Sequence, residues 1–245
     1  MAVFRIEIAG KVFDVTSLFE STKDYCRKYL TETDADFSLE VFPEDLVAEQ
    51  AFLDEEAREE GMKRRKFTDP FLERTAIQRK VAECLFDCGT LLFHGSAVAV
   101  DERGYLFTAA CGTGKSTHTR FWRDTFGDRA VMVNDDKPFL KITEDGVLMY
   151  GAPWSGKHGL DTNICVPLSG LCILTRGTEN QISPISPEEA LPMLLHQSCA
   201  PADAVRFPEF RQLVKQLSRK TSLWQMECTK DSIAATVSFE AMSHL

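Results

Sequence analysis

A glycine-rich segment in the middle of the chain constrains the fold more than any other feature. It reads Ala109-Ala110-Cys111-Gly112-Thr113-Gly114-Lys115-Ser116-Thr117, with an apolar run before it and a helical pattern after it. Gly-x-Gly-Lys-Ser between a strand and a helix is typical of a loop whose backbone amides surround a phosphate group. Ala109 stands where the pattern has its first glycine, which is compatible with such a loop if this residue has a negative φ.

The segment predicts a binding site for a nucleoside triphosphate. ATP is the expected donor, with GTP and pyrophosphate as open alternatives. Lys115 is expected to reach the β- and γ-phosphates, and the Ser116 hydroxyl to bind Mg²⁺. The positive end of the helix that begins at Lys115 adds to the attraction for anions. The residues expected to bind the nucleotide are Cys111, Gly112, Thr113, Gly114, Lys115, Ser116 and Thr117.

Two adjacent carboxylates are the second chemical signal. Asp135 and Asp136 follow the short apolar run Ala130–Val133, about twenty residues after Ser116. A strand–loop–helix–strand unit places the end of such a run beside the phosphate loop. One carboxylate can then hold Mg²⁺, while the other accepts a proton from an attacking hydroxyl. A solvated turn is the alternative interpretation of these two residues.

Hydrophobic periodicity predicts hairpins mixed with helices, and therefore a mixed α/β sheet. Residues 1–68 are expected to form a small N-terminal α+β lobe, and residues 69–245 the nucleotide-binding domain. The predicted strands are 3–8, 12–15, 36–41, 91–100, 105–109, 130–133, 139–142, 147–150, 168–175, 181–185 and 222–227. The predicted helices are 17–30, 44–61, one that starts after Pro70 and ends near Gly89, 116–126, 187–198 with Ser186 as its N-cap, 207–219 and 231–242.

Composition narrows the classes of partner. The formal net charge is −9, which argues against non-specific binding to nucleic acid or to an anionic membrane surface. The basic run Lys63–Lys66 goes against that trend; it follows the acidic stretch Asp54–Glu60 and is interpreted as part of a solvated helix. Neither a targeting segment nor a membrane span is evident. The eight scattered cysteines fit free thiols in a reducing compartment, so a cytoplasmic location is expected.

These motifs together resemble a known family. His94-Gly95-Ser96, the hairpin that leads into Gly112–Ser116, and Val133-Asn134-Asp135-Asp136 are similar to the kinase domain of HPr kinase/phosphorylase. That domain shares its nucleotide-binding core with ATP-dependent phosphoenolpyruvate carboxykinase. The resemblance covers about residues 90 to 200 and implies a P-loop core of this type. It also implies that Asp135 is the catalytic base, that Asp136 supports the metal and that His94 lies near the transferred phosphate.

The segment Gly151–His158 departs from the bifunctional HPr enzyme. It is similar to the corresponding segment of small HPr-kinase-like proteins found with peptide-modifying enzymes, so HPr is not the expected substrate. The segment is rich in residues that suit an active-site loop. Lys157 could neutralise charge on the phosphoryl group, Trp154 could stack on a base or close a pocket, and Arg176 could contact nucleotide or substrate. The alternatives are a surface loop with a packed tryptophan and a solvated arginine.

The leading hypothesis is a Mg²⁺-dependent kinase that phosphorylates a serine-type hydroxyl of a peptide, a protein or a small molecule. One alternative is carboxykinase-type chemistry on oxaloacetate, and another is a non-catalytic nucleotide-binding accessory protein. Activity in the reverse, phosphorylase direction is also open. A homo-oligomer is a further possibility, since proteins of this kind often assemble.

Overall fold

The computed structural model describes residues 1–59, 61 and 63–243. By packing, the chain divides into two compact units, Met1–Leu85 and Phe86–Leu245. This division falls later than the domain boundary expected after residue 68. Packing alone does not show whether residues 1–68 fold as an independent domain, so that boundary stays a prediction. Along the described residues, no helix combines the length and the apolar character that a bilayer crossing requires.

In its described residues, the first unit contains a three-stranded sheet and three α-helices. Its elements are β1 (Ala2–Ile8), β2 (Lys11–Ser17), α1 (Glu20–Tyr25), β3 (Phe37–Glu40), α2 (Pro43–Glu59) and α3 (Asp69–Phe86), which ends just beyond the unit. The sheet order is β1-β2-β3. β1 and β2 form a hairpin whose turn residues Ala9 and Gly10 have φ of 53° and 73°, as a tight two-residue turn requires. The end of the helix predicted over 44–61 includes Glu60, which lies outside the described residues.

The helix α3 packs within the first unit. The buried carboxylate of Glu73 accepts hydrogen bonds from the backbone N–H groups of Leu18 and Phe19 and from the hydroxyl of Thr22. Further along α3, Arg79 forms a two-pronged ion pair with Glu49, with N–O distances of 2.7 and 3.0 Å. These buried and partly buried polar contacts join α3 to α1 and α2.

The second unit is built on a nine-stranded mixed sheet. Its strands are β4 (Thr90–Leu92), β5 (Ser96–Val100), β6 (Arg103–Thr108), β7 (Ala130–Asn134), β8 (Phe139–Ile142), β9 (Val147–Tyr150), β10 (Cys165–Arg176), β11 (Gln181–Pro184) and β12 (Leu223–Cys228). Its helices are α4 (Lys115–Phe126), α5 (Pro187–Gln197), α6 (Phe207–Lys220) and α7 (Ile233–Ser243). The strand order is β4-β8-β9-β10-β6-β5-β7, and β12 pairs with both β10 and β11. The prediction of a mixed α/β sheet is confirmed.

Helices cover both faces of this sheet. Alternate residues of β5 belong to two different hydrophobic clusters. Ala97 and Ala99 pack with buried residues of α5 and α6. Val98 and Val100 pack with Trp122 of α4 and with α7. Because successive side chains of a strand point to opposite faces, the two clusters are the two hydrophobic layers of a helix–sheet–helix sandwich.

The apolar run 91–100, predicted as one strand, is two strands in different parts of the sheet. β4 pairs with β8, whereas β5 pairs with β6 and β7. Between them the backbone turns, with the N–H of Phe93 bonded to Pro138 O and that of Gly95 to Asp136 O, each at 3.0 Å. A Cβ on Gly95 would lie 2.8 Å from Leu106 and 3.0 Å from Phe107, so the crossing needs glycine. Likewise, the helix predicted over 17–30 is limited to α1 and a following 3₁₀ turn.

Candidate functional site

The order of three strands brings the chemical motifs to one edge of the sheet. β5 lies between β6 and β7 and is antiparallel to both, so β6 and β7 run parallel to each other. The end of β6 leads into the glycine-rich loop and the end of β7 leads into Asp135. The start of β5, which follows His94, lies at the same edge, where Ser96 pairs with Phe107 and Ala97 pairs with Asn134.

The glycine-rich loop has the backbone geometry that its glycines predict. Gly112 and Gly114 have φ of +72° and +124°, values that residues with a side chain rarely adopt. Ala109, in contrast, is not among the described residues with positive φ, so alanine in place of the usual glycine imposes no backbone strain there. Thr113 closes the turn by donating from its N–H and its hydroxyl to Ala110 O, at 3.2 and 2.8 Å.

The end of the loop is open to solvent at the start of α4. α4 begins at Lys115, and its N-cap, Gly114, provides no capping side chain; the first amides of a helix also have no acceptor within the helix. Cys111, Gly112, Ser116 and Thr117 are exposed, whereas Thr113, Gly114 and Lys115 are half-buried. The ammonium of Lys115 donates to Ala109 O at 3.3 Å. It therefore lies folded over the loop, within reach of a bound anion.

The two aspartates have different surroundings. Asp135 is 7% exposed, and its Oδ1 accepts a hydrogen bond of 2.7 Å from the hydroxyl of Ser96. The side chain of Asp136 is 35% exposed, and its Oδ1 lies 3.4 Å from Nε2 of His94. The geometry thus brings His94 into contact with Asp136, next to Asp135 in the chain.

Asn134 holds the turn that carries both aspartates, a role that the sequence did not reveal. Its Oδ1 accepts from the backbone N–H groups of Asp136 and Lys137, at 2.8 and 2.6 Å. Its Nδ2 donates to Ala152 O at 2.8 Å and to Trp154 O at 3.3 Å. The available signal was an asparagine at the end of a strand, because asparagine commonly bonds to the backbone two residues further on.

Burial changes the proton affinity of two of these groups. Desolvation, followed by the charges of Lys137, Lys115 and His196, lowers the pKa of His94 to about 3. Desolvation also raises the pKa of Asp136; Lys137 and Lys115 act against this rise and Asp135 adds to it. At neutral pH His94 is therefore a neutral imidazole, so its contact with Asp136 is not an ion pair.

The loop that follows β9 lies against Asp136. A Cβ on Gly156, whose φ is +68°, would lie 3.1 Å from Cβ of Asp136. Lys157 follows directly and is exposed. Trp154 is 6% exposed, with its ring centroid 6.4 Å from that of Phe139. It packs in the interior in this conformation, which does not support the expected stacking surface for a base.

Arg176, the last residue of β10, reaches the glycine-rich loop. Its exposed guanidinium donates a hydrogen bond to the carbonyl oxygen of Gly112. The parallel pairing of β10 with β6 over Leu168–Ile173 brings the end of β10 to the edge where β6 enters the loop. The expected proximity of Arg176 to a nucleotide is therefore compatible with the geometry.

The donor atoms at this edge fit a hard cation. The Ser116 hydroxyl is exposed and the Asp136 carboxylate is partly exposed. Oxygen ligands of this kind, completed by substrate phosphates and water, are those that Mg²⁺ uses in phosphoryl-transfer sites. In the described part of the chain no group of three or more His, Cys, Asp or Glu side chains is placed to hold a metal ion.

Comparisons with known proteins give only a distant likeness. No protein-family model matches the chain, and no curated protein sequence matches it. Among solved structures, the chain is similar to the HPr(Ser) kinase/phosphatase from Coxiella burnetii, with 14% sequence identity and a TM-score of 0.29. The match covers 52% of this chain and 93% of that chain. At this level the likeness carries no argument about the site.

Proposed function

We propose that this protein is a Mg²⁺-dependent kinase that transfers the γ-phosphate of ATP to a serine-type hydroxyl of a peptide, a protein or a small molecule. The observation that carries the proposal is the β6–β5–β7 arrangement, which places an open glycine-rich loop and two aspartates at one edge of the sheet. We propose further that the second unit is a nucleotide-binding core of the HPr kinase/phosphoenolpyruvate carboxykinase type.

The phosphate loop would position the donor. The amides at the start of α4 and the ammonium of Lys115 would hold the β- and γ-phosphates, because they combine hydrogen-bond donors with positive charge. Phosphoryl transfer depends mainly on positioning and charge stabilisation. A short set of residues is therefore enough, provided that the donor and the acceptor meet in line.

Asp135 would be the base. The acceptor O–H bond breaks and its proton passes to the Asp135 carboxylate, while a new bond forms between the acceptor oxygen and Pγ. The bond from Pγ to the bridging oxygen breaks, and its electron pair leaves with ADP. His94, a neutral imidazole at pH 7, would donate or accept a hydrogen bond beside the transferred group, with Asp136 next to it.

The Ser116 hydroxyl and the Asp136 carboxylate would hold Mg²⁺. When bound, this cation neutralises charge on the β- and γ-phosphate oxygens. Lys157, exposed beside Gly156, and Arg176, bonded to the loop, would add positive charge around the phosphates or contact the substrate.

The direct test is phosphate transfer from ATP labelled at the γ position. The purified protein is incubated with labelled ATP, Mg²⁺ and either a library of serine-containing peptides or a cell extract, and labelled products are identified. We expect a labelled hydroxyl acceptor. The Lys115→Met variant, which loses the phosphate-binding charge, is the matched control and should label nothing.

ATP binding without transfer to any acceptor would contradict the proposal and favour a non-catalytic accessory protein. Consumption of nucleotide with oxaloacetate would favour carboxykinase chemistry.

A further inference from the structure

A buried chain of hydroxyl groups leads from the phosphate-loop helix to Asp135. Ser96 on β5 and Thr119 on α4 are 0% and 1% exposed. Their hydroxyl oxygens are 2.7 Å apart, and the Ser96 oxygen is also 2.7 Å from Oδ1 of Asp135. The chain connects α4, β5 and β7, the three elements that meet at the candidate site.

The direction of each hydrogen bond follows from the number of protons. A serine hydroxyl has one proton, and a carboxylate can only accept. The Ser96 proton is therefore engaged by Asp135, so Thr119 must donate to the oxygen of Ser96. The other acceptors near the Thr119 hydroxyl, the carbonyl oxygens of Lys115 and Ser116, are both 3.4 Å away. At 2.7 Å the bond to Ser96 is the stronger one.

This arrangement distinguishes the two oxygens of Asp135. Oδ1 receives the Ser96 hydrogen bond, and in the described part of the chain no other hydrogen bond to this carboxylate is found. Oδ2 is therefore the oxygen that can receive the proton of an acceptor hydroxyl. Thr119 lies one helical turn beyond Lys115 and Ser116 on α4. The chain of hydroxyl groups therefore links the helix that carries the proposed phosphate-binding residues to the orientation of the Asp135 carboxylate.

We propose that Ser96 and Thr119 are positioning residues, which hold the Asp135 carboxylate so that Oδ2 faces the acceptor hydroxyl. This inference rests on the proposed function, because it assumes that Asp135 is the base. Neither hydroxyl contacts substrate. Each acts through Asp135, by a directed pair of hydrogen bonds between buried groups, where such bonds restrain orientation most strongly.

The test uses hydrolysis of γ-labelled ATP with Mg²⁺, in which water occupies the acceptor position. In Ser96→Ala, Oδ1 loses its donor and the carboxylate can rotate. We expect kcat to fall about tenfold to a hundredfold, since small misplacements of a reacting group have effects of this size. KM for ATP should stay within about twofold, because the phosphate loop is unchanged.

Two variants of Thr119 test the same positioning role in case Ser96→Ala fails to fold. Thr119→Val keeps the shape of the side chain but removes the donor, and should lower kcat about threefold to tenfold. Thr119→Ser restores a hydroxyl and should recover wild-type kcat within about twofold. Ser218→Ala removes a hydroxyl that is similarly buried, at 3% exposed, and that donates to Lys215 O at 2.9 Å. This control should leave kcat unchanged.

The outcomes separate the two proposals. Wild-type kcat in Ser96→Ala, or equal kcat in Thr119→Val and Thr119→Ser, would overturn the positioning role while leaving the kinase intact. A fall in activity that matches a rise in KM would also overturn it, because the effect would then lie on the nucleotide. A wild-type protein that neither hydrolyses ATP nor transfers phosphate would overturn the proposed function and this assignment with it.

Discussion

The guanidinium of Arg176 donates a hydrogen bond to the carbonyl oxygen of Gly112, in the middle of the glycine-rich loop. The two residues are far apart in sequence but lie together because β10 runs parallel to β6. Gly112 has a φ of +72°, and an unrestrained glycine residue has many alternative backbone conformations. An arginine bonded to its carbonyl restricts those alternatives, and its charge lies beside the proposed phosphate site.

Replacing Arg176 with alanine should weaken ATP binding. The loop loses one restraint and one positive charge, so we expect KM for ATP to rise about threefold to tenfold, consistent with one hydrogen bond from a charged but exposed group. Steady-state kinetics with varied ATP measures this. Arg211→Ala removes an exposed arginine of α6 and should have no effect. An unchanged KM in Arg176→Ala would show that the contact does not order the loop.

Asp135→Asn should abolish phosphate transfer and keep nucleotide binding. The amide retains an oxygen that can accept from Ser96 but cannot take up the acceptor proton, so only the chemical step is lost. Binding of a fluorescent ATP analogue, expected within about twofold of wild type, and labelled-product formation measure the two properties. Asp145→Asn, in the exposed turn between β8 and β9, is the matched control. Retained transfer in Asp135→Asn would remove Asp135 as the base.

Gly156→Ala should impair activity more than Gly159→Ala. Both glycines have positive φ, +68° and +60°, so each substitution costs about 1–2 kcal/mol of backbone strain. Only at Gly156 does the added Cβ approach another group, Cβ of Asp136 at 3.1 Å; at Gly159 no atom lies within 4 Å. Thermal unfolding should therefore be similar in the two variants.

Activity measured against Mg²⁺ concentration separates the same two variants. Displacement of Asp136 in Gly156→Ala should raise the Mg²⁺ concentration needed for half-maximal activity by about tenfold, a change of about 1.4 kcal/mol in binding. Gly159→Ala should require the wild-type concentration. Equal Mg²⁺ dependence in both variants would argue against Asp136 as a metal ligand.

His118 should make the folded protein less stable at acidic pH. Burial lowers its pKa from 6.5 to about 4, so the unfolded chain binds more protons between these values. The free energy of unfolding therefore falls as pH decreases through 6.5 towards 4. Between pH 7 and pH 5 this group alone accounts for a loss of about 2 kcal/mol.

Urea unfolding of His118→Gln at pH 7 and pH 5 checks the pH dependence. The variant should lose less stability between the two pH values than wild type, by about 2 kcal/mol, whatever its stability at pH 7. His158→Gln, which changes an exposed histidine, should show the wild-type difference. Equal pH dependence in His118→Gln and wild type would mean that His118 is not held neutral by burial.

Local chemistry made parts of this fold predictable. Ser186 was expected to cap α5, and it does: its hydroxyl accepts from the N–H of Glu189, whose side chain bonds back to Ser186. The hairpin of β8 and β9 likewise follows from the turn Glu144-Asp145-Gly146 between two apolar runs. Such elements are recognisable because the deciding interactions join residues only a few positions apart.

Other features depended on contacts between distant segments. In the run over 91–100, His94 and Gly95 interrupt the apolar pattern, but the break into two strands depends on backbone bonds to residues 136–138. Trp154 looked suited to stacking on a base, but its burial near Phe139 depends on how the loop folds back. Ser96 and Thr119 are not predictable as a pair, because nothing in the sequence relates a strand residue to a helix residue 23 positions later.

By itself, the sequence determined the types of chemistry available: a glycine-rich loop able to surround an anion, paired carboxylates at a strand end, and the local signals that start and end most helices and turns. These depend on backbone preference and on neighbouring residues. The tertiary structure decided which of these groups meet and at what exposure, leaving Asp135 buried beside Ser96 and Asp136 partly open beside His94. The physical reason is that strand pairing across the sheet and burial act between segments far apart in the chain.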